Sequence, residues 1–118
     1  DYTPNSTVKF LNQPQTPYPK KNWSSMMLFN NAKCTALTPD YVNSATGLEL
    51  HQYKWLENEN LIGKIDEEWN WLVGEYEYNP HAKLVHFTKG GPYFKDYKNC
   101  DYNKEWFDMF EDTTRTDM

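Results

Sequence analysis

The sequence predicts a small mixed α/β domain, in which a few short strands alternate with short helices. Short apolar runs rich in β-forming residues, such as residues 84–87, indicate strands, and apolar side chains at helical spacing, as in residues 102–111, indicate helices. Aromatic residues make up 17% of the 118 residues, with 5 Trp, 9 Tyr and 6 Phe. That content supplies a core, so we expect one ordered domain rather than a disordered chain.

Residues 1–21 are predicted to be an extended lead-in to a single domain over residues 22–111. Prolines recur at positions 4, 14, 17 and 19, a density that excludes a helix or a central strand. The chain opens without Met, which suits a fragment whose upstream half is missing. Residues 23–30 then form an apolar run ending at two asparagines, typical of a buried strand with a turn after it.

Two helices are predicted next. Thr38 is a good N-cap, Pro39 suits the first helical position and Asp40 favours the first turn, so a short helix should end near Gly47. Residues 48–56 carry five side chains at helical spacing on one side, which predicts the second helix. These side chains are Leu48, His51, Gln52, Trp55 and Leu56.

The second half alternates extended and helical segments. Residues 57–60 are a polar break, residues 62–65 a brief extended piece, and residues 68–74 an aromatic-rich extended or looping segment. Residues 83–87 form the next strand. Asp101 is expected to cap a last helix over residues 102–111 with an apolar stripe of Trp106, Phe107 and Phe110, and the polar tail 112–118 to fray.

Charge and composition exclude several classes of function. The net charge of −5 and the pI near 5.1 disfavour a nucleic-acid partner. Apolar runs stay far below the roughly 18 residues of a membrane span, so we expect no transmembrane segment and a cytoplasmic location. Cys34 and Cys100 are compatible with either one disulfide or two free thiols.

The most informative stretch is residues 84–94, where a strand delivers His86 to a loop of Gly90, Gly91 and Pro92. A histidine at a strand end can bind a metal or donate a hydrogen bond, and paired glycines let backbone N–H groups approach a ligand closely. The alternatives are a hydrogen-bonded histidine without a metal and a plain tight turn at the glycines. Loops at strand ends are where binding sites are often built.

Four segments in order resemble the C-terminal half of the GT-A-fold glycosyltransferases, in particular family 8, the glycogenin-like and lipopolysaccharide galactosyltransferase-like enzymes. Residues 22–30 resemble the family's FNSGVMLFN strand and residues 50–56 lie where it has its DQDxLN helix. Residues 65–70 are similar to LPxxWN, and residues 85–93 to HFxGxxKPW. Together the four segments span residues 22–94, about two thirds of the chain.

The resemblance implies sugar transfer from a nucleotide-sugar donor to a glycan or lipid-glycan acceptor, with a divalent metal, typically manganese, neutralising the diphosphate. It makes His86 a metal ligand. Gly90 and Gly91 would approach the donor phosphates. In the family a lysine directly precedes the proline, whereas Gly91 occupies that position here. Lys89 is the nearby residue that would substitute for the lysine.

The resemblance also assigns the acceptor side. Ser24 and Ser25 align with the NSG positions, and Asn70 with the asparagine of WN. Of the DQD motif only Gln52 is kept, as a hydrogen-bonder to the transferred sugar. His51 replaces the first acid, and we expect it to contact the acceptor or to lie on a half-buried helix face. No histidine and acid are spaced with a serine as a triad in the sequence, so serine nucleophile chemistry is unsupported.

The family's nucleotide-binding half, with its Asp-x-Asp metal motif, is absent, since no Asp-x-Asp occurs in the chain. We therefore expect a partial GT-A-like domain that is catalytically incomplete alone and could self-associate through exposed apolar edges. One alternative is a carbohydrate-binding or protein-interaction module with exposed stacking rings among Tyr76, Tyr78, Tyr93 and Tyr97. Another is a structural assembly piece.

Overall fold

The computed structural model describes residues 1–8 and 13–115, and these residues contain short helices and a two-stranded parallel sheet. The helices are α1 (Pro39–Ser44), α2 (Gly47–His51) and α3 (Asn103–Thr114), and the strands are β1 (Trp71–Val73) and β2 (Val85–Phe87). Single 3₁₀ turns also occur at Trp23–Ser25, Asn31–Lys33, Glu59–Leu61, Glu67–Asn70 and Lys95–Tyr97. The mixed α/β class predicted from the sequence is confirmed at this level.

The sheet places the predicted strand end against a second strand. β1 pairs with β2 in parallel, and Leu72 lies opposite His86. Beyond the ladder, the Thr88 N–H donates to the Val73 carbonyl at 3.1 Å. The strand predicted over residues 83–87 is confirmed in its last three residues. Because both strands run the same way, their carboxyl ends meet at one edge of the sheet, at Gly74 and Thr88.

The buried core is small and centred on β1. Leu72 and Val73 are 3% and 6% exposed, and Pro92 is fully buried. The radius of gyration is 16.9 Å, whereas a compact domain of this length is expected near about 13.5 Å. Many large apolar side chains therefore stay accessible, such as Leu28, which is 84% exposed.

α1 follows its sequence signals closely. The Thr38 hydroxyl accepts a hydrogen bond from the Tyr41 N–H at 3.2 Å, and Pro39 occupies the first turn. The helix ends at Ser44, before Gly47. The predicted cap, first turn and short length are all confirmed.

α2 is shorter than the predicted helix over residues 48–56. It begins with a capping box in which the Glu49 N–H donates to the Thr46 hydroxyl and the Thr46 N–H donates to the Glu49 carboxylate. It ends at His51 because Tyr53 has a φ of 57°, a left-handed conformation that a helix cannot continue through. The predicted second helix is confirmed only in its first half.

The strand predicted over residues 23–30 is wrong. Trp23–Ser25 is a 3₁₀ turn, and residues 26–30 form no helix or strand. The Ser25 hydroxyl donates to the Asn22 carbonyl at 2.6 Å, a local bond that competes with a strand ladder. Residues 62–65 likewise have no strand partner within the described part of the chain. The segment 68–74 divides into a 3₁₀ turn and β1.

α3 begins one residue later than predicted and its cap differs. Tyr102, with a φ of 62°, precedes the helix, so Asp101 is not the N-cap. The Tyr102 hydroxyl donates to the Asn79 carbonyl at 2.6 Å, which holds this boundary in place. The helix continues to Thr114, so residues 112–114 are helical rather than a frayed tail, and residues 116–118 lie outside the described part.

The lead-in over residues 1–21 forms no helix or strand in its described residues apart from a bridge between Val8 and Pro14, and residues 9–12 lie outside the description. It ends at two buried lysines, Lys20 and Lys21, which are 6% and 8% exposed. The Lys20 ammonium donates to the Gln52 carbonyl at 3.1 Å and pairs with Glu59. The lead-in is thereby tied to the residue that follows α2.

Candidate functional site

A cavity of about 420 Å³ opens at the carboxyl ends of β1 and β2. Residues from both strand ends and from the lead-in line it, among them Asn5, Gly74, Glu75, Lys89, Gly90 and Asp101. In α/β sheets, ligands bind in the crevice beyond the carboxyl ends of parallel strands. This edge is therefore the first candidate site.

His86 is the middle residue of β2 and is half-buried, and it does not belong to the lining of the cavity. Its Nδ1 atom is buried and has no hydrogen-bond partner among the described residues. The hydrogen-bonded histidine considered as an alternative is therefore not what the structure has at this atom. Burial lowers the pKa of the ring, which favours the neutral imidazole that binds metals.

The described residues do not make a metal site by themselves. No group of three or more His, Cys, Asp or Glu side chains among residues 1–8 and 13–115 could hold a metal ion. His86 supplies one nitrogen, whereas Mn²⁺-class ions take several oxygen ligands. A metal bound through His86 would need donors beyond those described.

The predicted phosphate-contacting residues lie in the loop after β2, but only two of the three line the cavity. Lys89 and Gly90 both line the cavity, and the Lys89 ammonium donates to Asn5 Oδ1 at 2.5 Å. Gly90 has a φ of 134°, which favours glycine. Gly91 is buried, and a Cβ there would lie 2.2 Å from Tyr93 Cε1, so this glycine is required for packing against the Tyr93 ring.

A second polar group of residues, here called the serine cluster, gathers three of the four segments. Ser24 Oγ lies 2.6 Å from His51 Nδ1. Ser25 Oγ lies 2.7 Å from Asn70 Oδ1, which shares the single hydroxyl proton with the Asn22 carbonyl. Asn70 Nδ2 donates to the Asn22 carbonyl at 2.9 Å. The four predicted acceptor-side residues thus form two contacting pairs, whose members are 27 and 45 positions apart in the sequence.

Gln52 lies next to the serine cluster along the chain but bonds elsewhere. Its Nε2 donates to the Pro19 carbonyl at 3.2 Å, and its own carbonyl accepts from Lys20. The side-chain amide of Gln52 therefore binds the lead-in. If its Nε2 donated to a sugar, the hydrogen bond to the Pro19 carbonyl would have to break.

The two groups lie at opposite ends of β1, because Asn70 precedes this strand and Gly74 follows it. Three strand residues span about 10 Å. His86 lies opposite the middle residue of β1. One short strand pair thus relates the serine cluster, the histidine and the cavity.

The pairing of Ser24 with His51 was missed by sequence reasoning. Its members are 27 residues apart, and only the fold brings them together. A catalytic triad also needs a carboxylate that orients the histidine. The described residues give His51 no carboxylate hydrogen bond, so the pair is a polar contact and not a triad.

Asn5 and Glu75 are cavity residues that sequence reasoning also missed. The Asn5 backbone N–H donates to Glu75 Oε2 at 2.8 Å, and Asn5 Nδ2 donates to the Gly74 carbonyl at 2.7 Å. Glu75 Oε1 is buried without a hydrogen-bond partner in the described part of the chain. Glu75 lies two residues after β1, so it could have been predicted as a cavity residue only if β1 and β2 were known to pair in parallel.

Both cysteines, Cys34 and Cys100, are free thiols. Burial raises the pKa of Cys100, so its thiol stays protonated at neutral pH.

None of the helices in the described segments is long and apolar enough to cross a membrane.

Comparison with known proteins finds a relative in Arabidopsis thaliana named Protein CDI. It is 43% identical over 119 residues, an alignment that covers 95% of this chain and 46% of the relative. The chain therefore spans about half the length of the curated relative it matches. The relative's name states no activity or ligand. No family model matches the chain, and no solved structure matches it.

Proposed function

We propose that this chain is the acceptor-side and closing portion of a GT-A-like glycosyltransferase that uses a nucleotide-sugar donor and a divalent metal. The observation that carries the proposal is the parallel strand pair, whose carboxyl edge brings Lys89 and Gly90 to a cavity, with His86 on β2 three residues before Lys89. The hydrogen bonds that join three of the four family-like segments in the serine cluster support it further.

In this proposal each residue has a limited role. His86 offers one nitrogen to a metal whose oxygen ligands come from chain outside these residues. When bound, such a metal, manganese for preference, neutralises charge on a diphosphate. Lys89 and the Gly90 backbone contact the donor phosphates, with Gly91 fixing the loop. Without the nucleotide-binding half the chain is inactive.

On the acceptor side, the serine cluster presents hydroxyl, imidazole and amide groups to a glycan or lipid-glycan acceptor. Those groups are Ser24, Ser25, His51 and Asn70, and Gln52 contacts the transferred sugar. Exposed apolar side chains such as Leu28, at 84% exposure, support self-association of this portion when it is produced alone.

The test uses the longer protein that carries this segment, produced as wild type, His86→Ala and His81→Ala. His81 is exposed and is the matched control. Thermal unfolding with UDP and MnCl₂ together should raise the Tm of wild type and His81→Ala by several degrees, and that of His86→Ala by much less. No shift in the wild type with any common nucleoside diphosphate would reject the proposal.

A second candidate, a protein-interaction module, is favoured by the aromatic face of α3 and the loop before it. Phe110 and Tyr93 are 50% and 57% exposed, and their neighbour Trp106 stacks on Phe110 at 5.3 Å between ring centroids. Light scattering of wild type and Phe110→Ser distinguishes the two: a stable oligomer lost on substitution, with no response to nucleotides in the longer protein, supports the module.

A further inference from the structure

A second cavity, of about 580 Å³, shares a wall with the strand-end cavity. The shared wall is Tyr76 and Glu77, which line both cavities. The other residues that line the second cavity are Asp1, Tyr2, Glu67, Trp71, Tyr78, Asn79 and Pro80. Its volume lies within the range of small-ligand sites. We call it the tyrosine groove.

The rings of the tyrosine groove form a firm apolar surface. The Tyr76 ring packs edge-on against Trp71 at 4.9 Å and against Tyr2 at 6.1 Å between centroids. Trp71 is also fixed by its Nε1–H, which donates to the Glu77 carbonyl at 2.9 Å. Tyr78 is 56% exposed, with its ring 5.0 Å from that of Tyr102. Fixed rings with an accessible face suit stacking on the C–H face of a sugar.

The charge of the tyrosine groove selects among ligands. Its described lining contains the carboxylates of Asp1, Glu67 and Glu77 and neither Lys nor Arg. Phosphate and other anions are therefore disfavoured. Ionised carboxylates only accept hydrogen bonds, so they match ligands with several hydroxyl donors. Burial raises the pKa of Tyr2 and Tyr76, so both stay neutral phenols.

We propose that the tyrosine groove binds a neutral saccharide, with its ring stacked on Tyr78 and its hydroxyls donating to Glu77 and Glu67. This inference rests on the proposed function in one respect: it assigns that saccharide as a part of the acceptor additional to the part that contacts the serine cluster, beside a strand-end cavity that carries Lys89 for the donor phosphates. The shared wall of Tyr76 and Glu77 then separates the two substrates. A cationic or proline-rich peptide is the competing occupant.

The experiment titrates the 118-residue chain with maltotriose, cellotriose, UDP, inorganic pyrophosphate and an arginine-containing decaproline peptide, followed by NMR. Tyr78→Ala and Glu77→Gln probe the groove. Tyr41→Ala is the control, because Tyr41 is another partly exposed tyrosine, lies on α1 and does not line the groove. Thermal melts verify that each variant folds. Tyr78→Phe keeps the aromatic ring and removes only the hydroxyl, so it tests whether the ring is what binds.

We expect a millimolar Kd for at least one trisaccharide, weakened about tenfold by Tyr78→Ala and severalfold by Glu77→Gln, and unchanged in Tyr78→Phe and Tyr41→Ala. Absence of trisaccharide binding, tighter binding of UDP in the groove, or peptide binding lost in Tyr78→Ala would overturn the inference. If trisaccharide binding fails while the His86-dependent shift with UDP and MnCl₂ persists, only this inference falls. If trisaccharide binding is found while the shift with UDP and MnCl₂ is absent, the saccharide site in the tyrosine groove is supported and the transferase proposal is rejected.

Discussion

His86 is the residue on which most of the functional account depends. It lies on β2, half-buried, with a buried Nδ1 that has no partner in the described segments. The sequence predicted a histidine at the end of a strand, and His86 is the middle residue of the three-residue strand β2. Its burial and its unpartnered nitrogen depend on packing against β1, which no local pattern revealed.

The burial of His86 makes stability depend on pH. Desolvation lowers its pKa in the folded state below the ordinary value of 6.5. Between these two values the unfolded chain binds more protons, so the free energy of unfolding rises with pH. We expect wild type to lose stability as the pH falls from about 7.5 to about 5.5, across the ordinary histidine pKa, and His86→Gln to lose less.

The measurement is urea unfolding of both proteins at each pH, which gives the difference between their losses. His81→Gln is the control, since His81 is exposed and should follow the wild-type profile. An equal loss in wild type and His86→Gln would show that the ring is solvated.

Gly74 is a second position where one residue decides the local structure. It has a φ of +97°, and a Cβ would lie 3.1 Å from Thr88 Oγ1. We expect Gly74→Ala to destabilise the protein by about 1–2 kcal/mol or more, because an L side chain resists this conformation.

Gly63 is the matched control for Gly74, since a Cβ there meets nothing within 4 Å. Gly63→Ala should be neutral or stabilising by up to about 1 kcal/mol. Denaturant melts compare the two variants, and equal effects at both positions would contradict the conformation of Gly74.

At the scale of elements, local signals predicted α1 and part of α2 because caps act through neighbouring residues. Thr38 and Pro39 fix the start of α1 regardless of the rest of the chain. The run over residues 23–30 failed because an apolar run does not distinguish a strand from an irregular segment unless a partner strand exists. The parallel pairing of β1 with β2 joins segments 14 residues apart, as in Leu72 with His86, and was not predicted.

The capping box of α2 gives a prediction for this element. The Thr46 hydroxyl accepts from Glu49 N–H at 3.1 Å, so Thr46→Ala should destabilise the protein by about 1 kcal/mol. Because α2 carries His51, the same change should loosen the Ser24–His51 contact of 2.6 Å.

Urea unfolding measures the loss, and the exchange rate of the His51 amide reports on the helix. Thr16→Ala is the control, since Thr16 is exposed and makes no cap, and it should change stability by less than about 0.5 kcal/mol. A loss in Thr16→Ala as large as that in Thr46→Ala would show that the box contributes nothing specific.

For the whole molecule, a small core gives few residues a large share of the stability. Leu72 is 3% exposed and Leu28 84% exposed, so these two leucines form a matched pair. We expect Leu72→Ala to destabilise the chain by about 2–5 kcal/mol and Leu28→Ala by less than about 0.5 kcal/mol. Thermal or urea melts decide this, and a comparable loss in both would place the core elsewhere.

The sheet is small and open. β1 and β2 each have one strand neighbour in the described part of the chain, and Val73 of β1 also forms an isolated bridge with Tyr76. The mixed class, α1 and the β2 strand end were readable from sequence. The cavity with Asn5 and Glu75, and the serine cluster, were not, because they join residues 27 to 70 positions apart.

We propose that residues around His86 serve a metal-dependent sugar transfer in the longer protein. The most direct measurement is release of UDP from a panel of UDP-sugars by that protein, with and without MnCl₂, for wild type, His86→Ala and His81→Ala. We expect release that requires MnCl₂, falls at least a hundredfold in His86→Ala and is unchanged in His81→Ala. Release that is equal in wild type and His86→Ala, or absent from wild type with every donor, would contradict it.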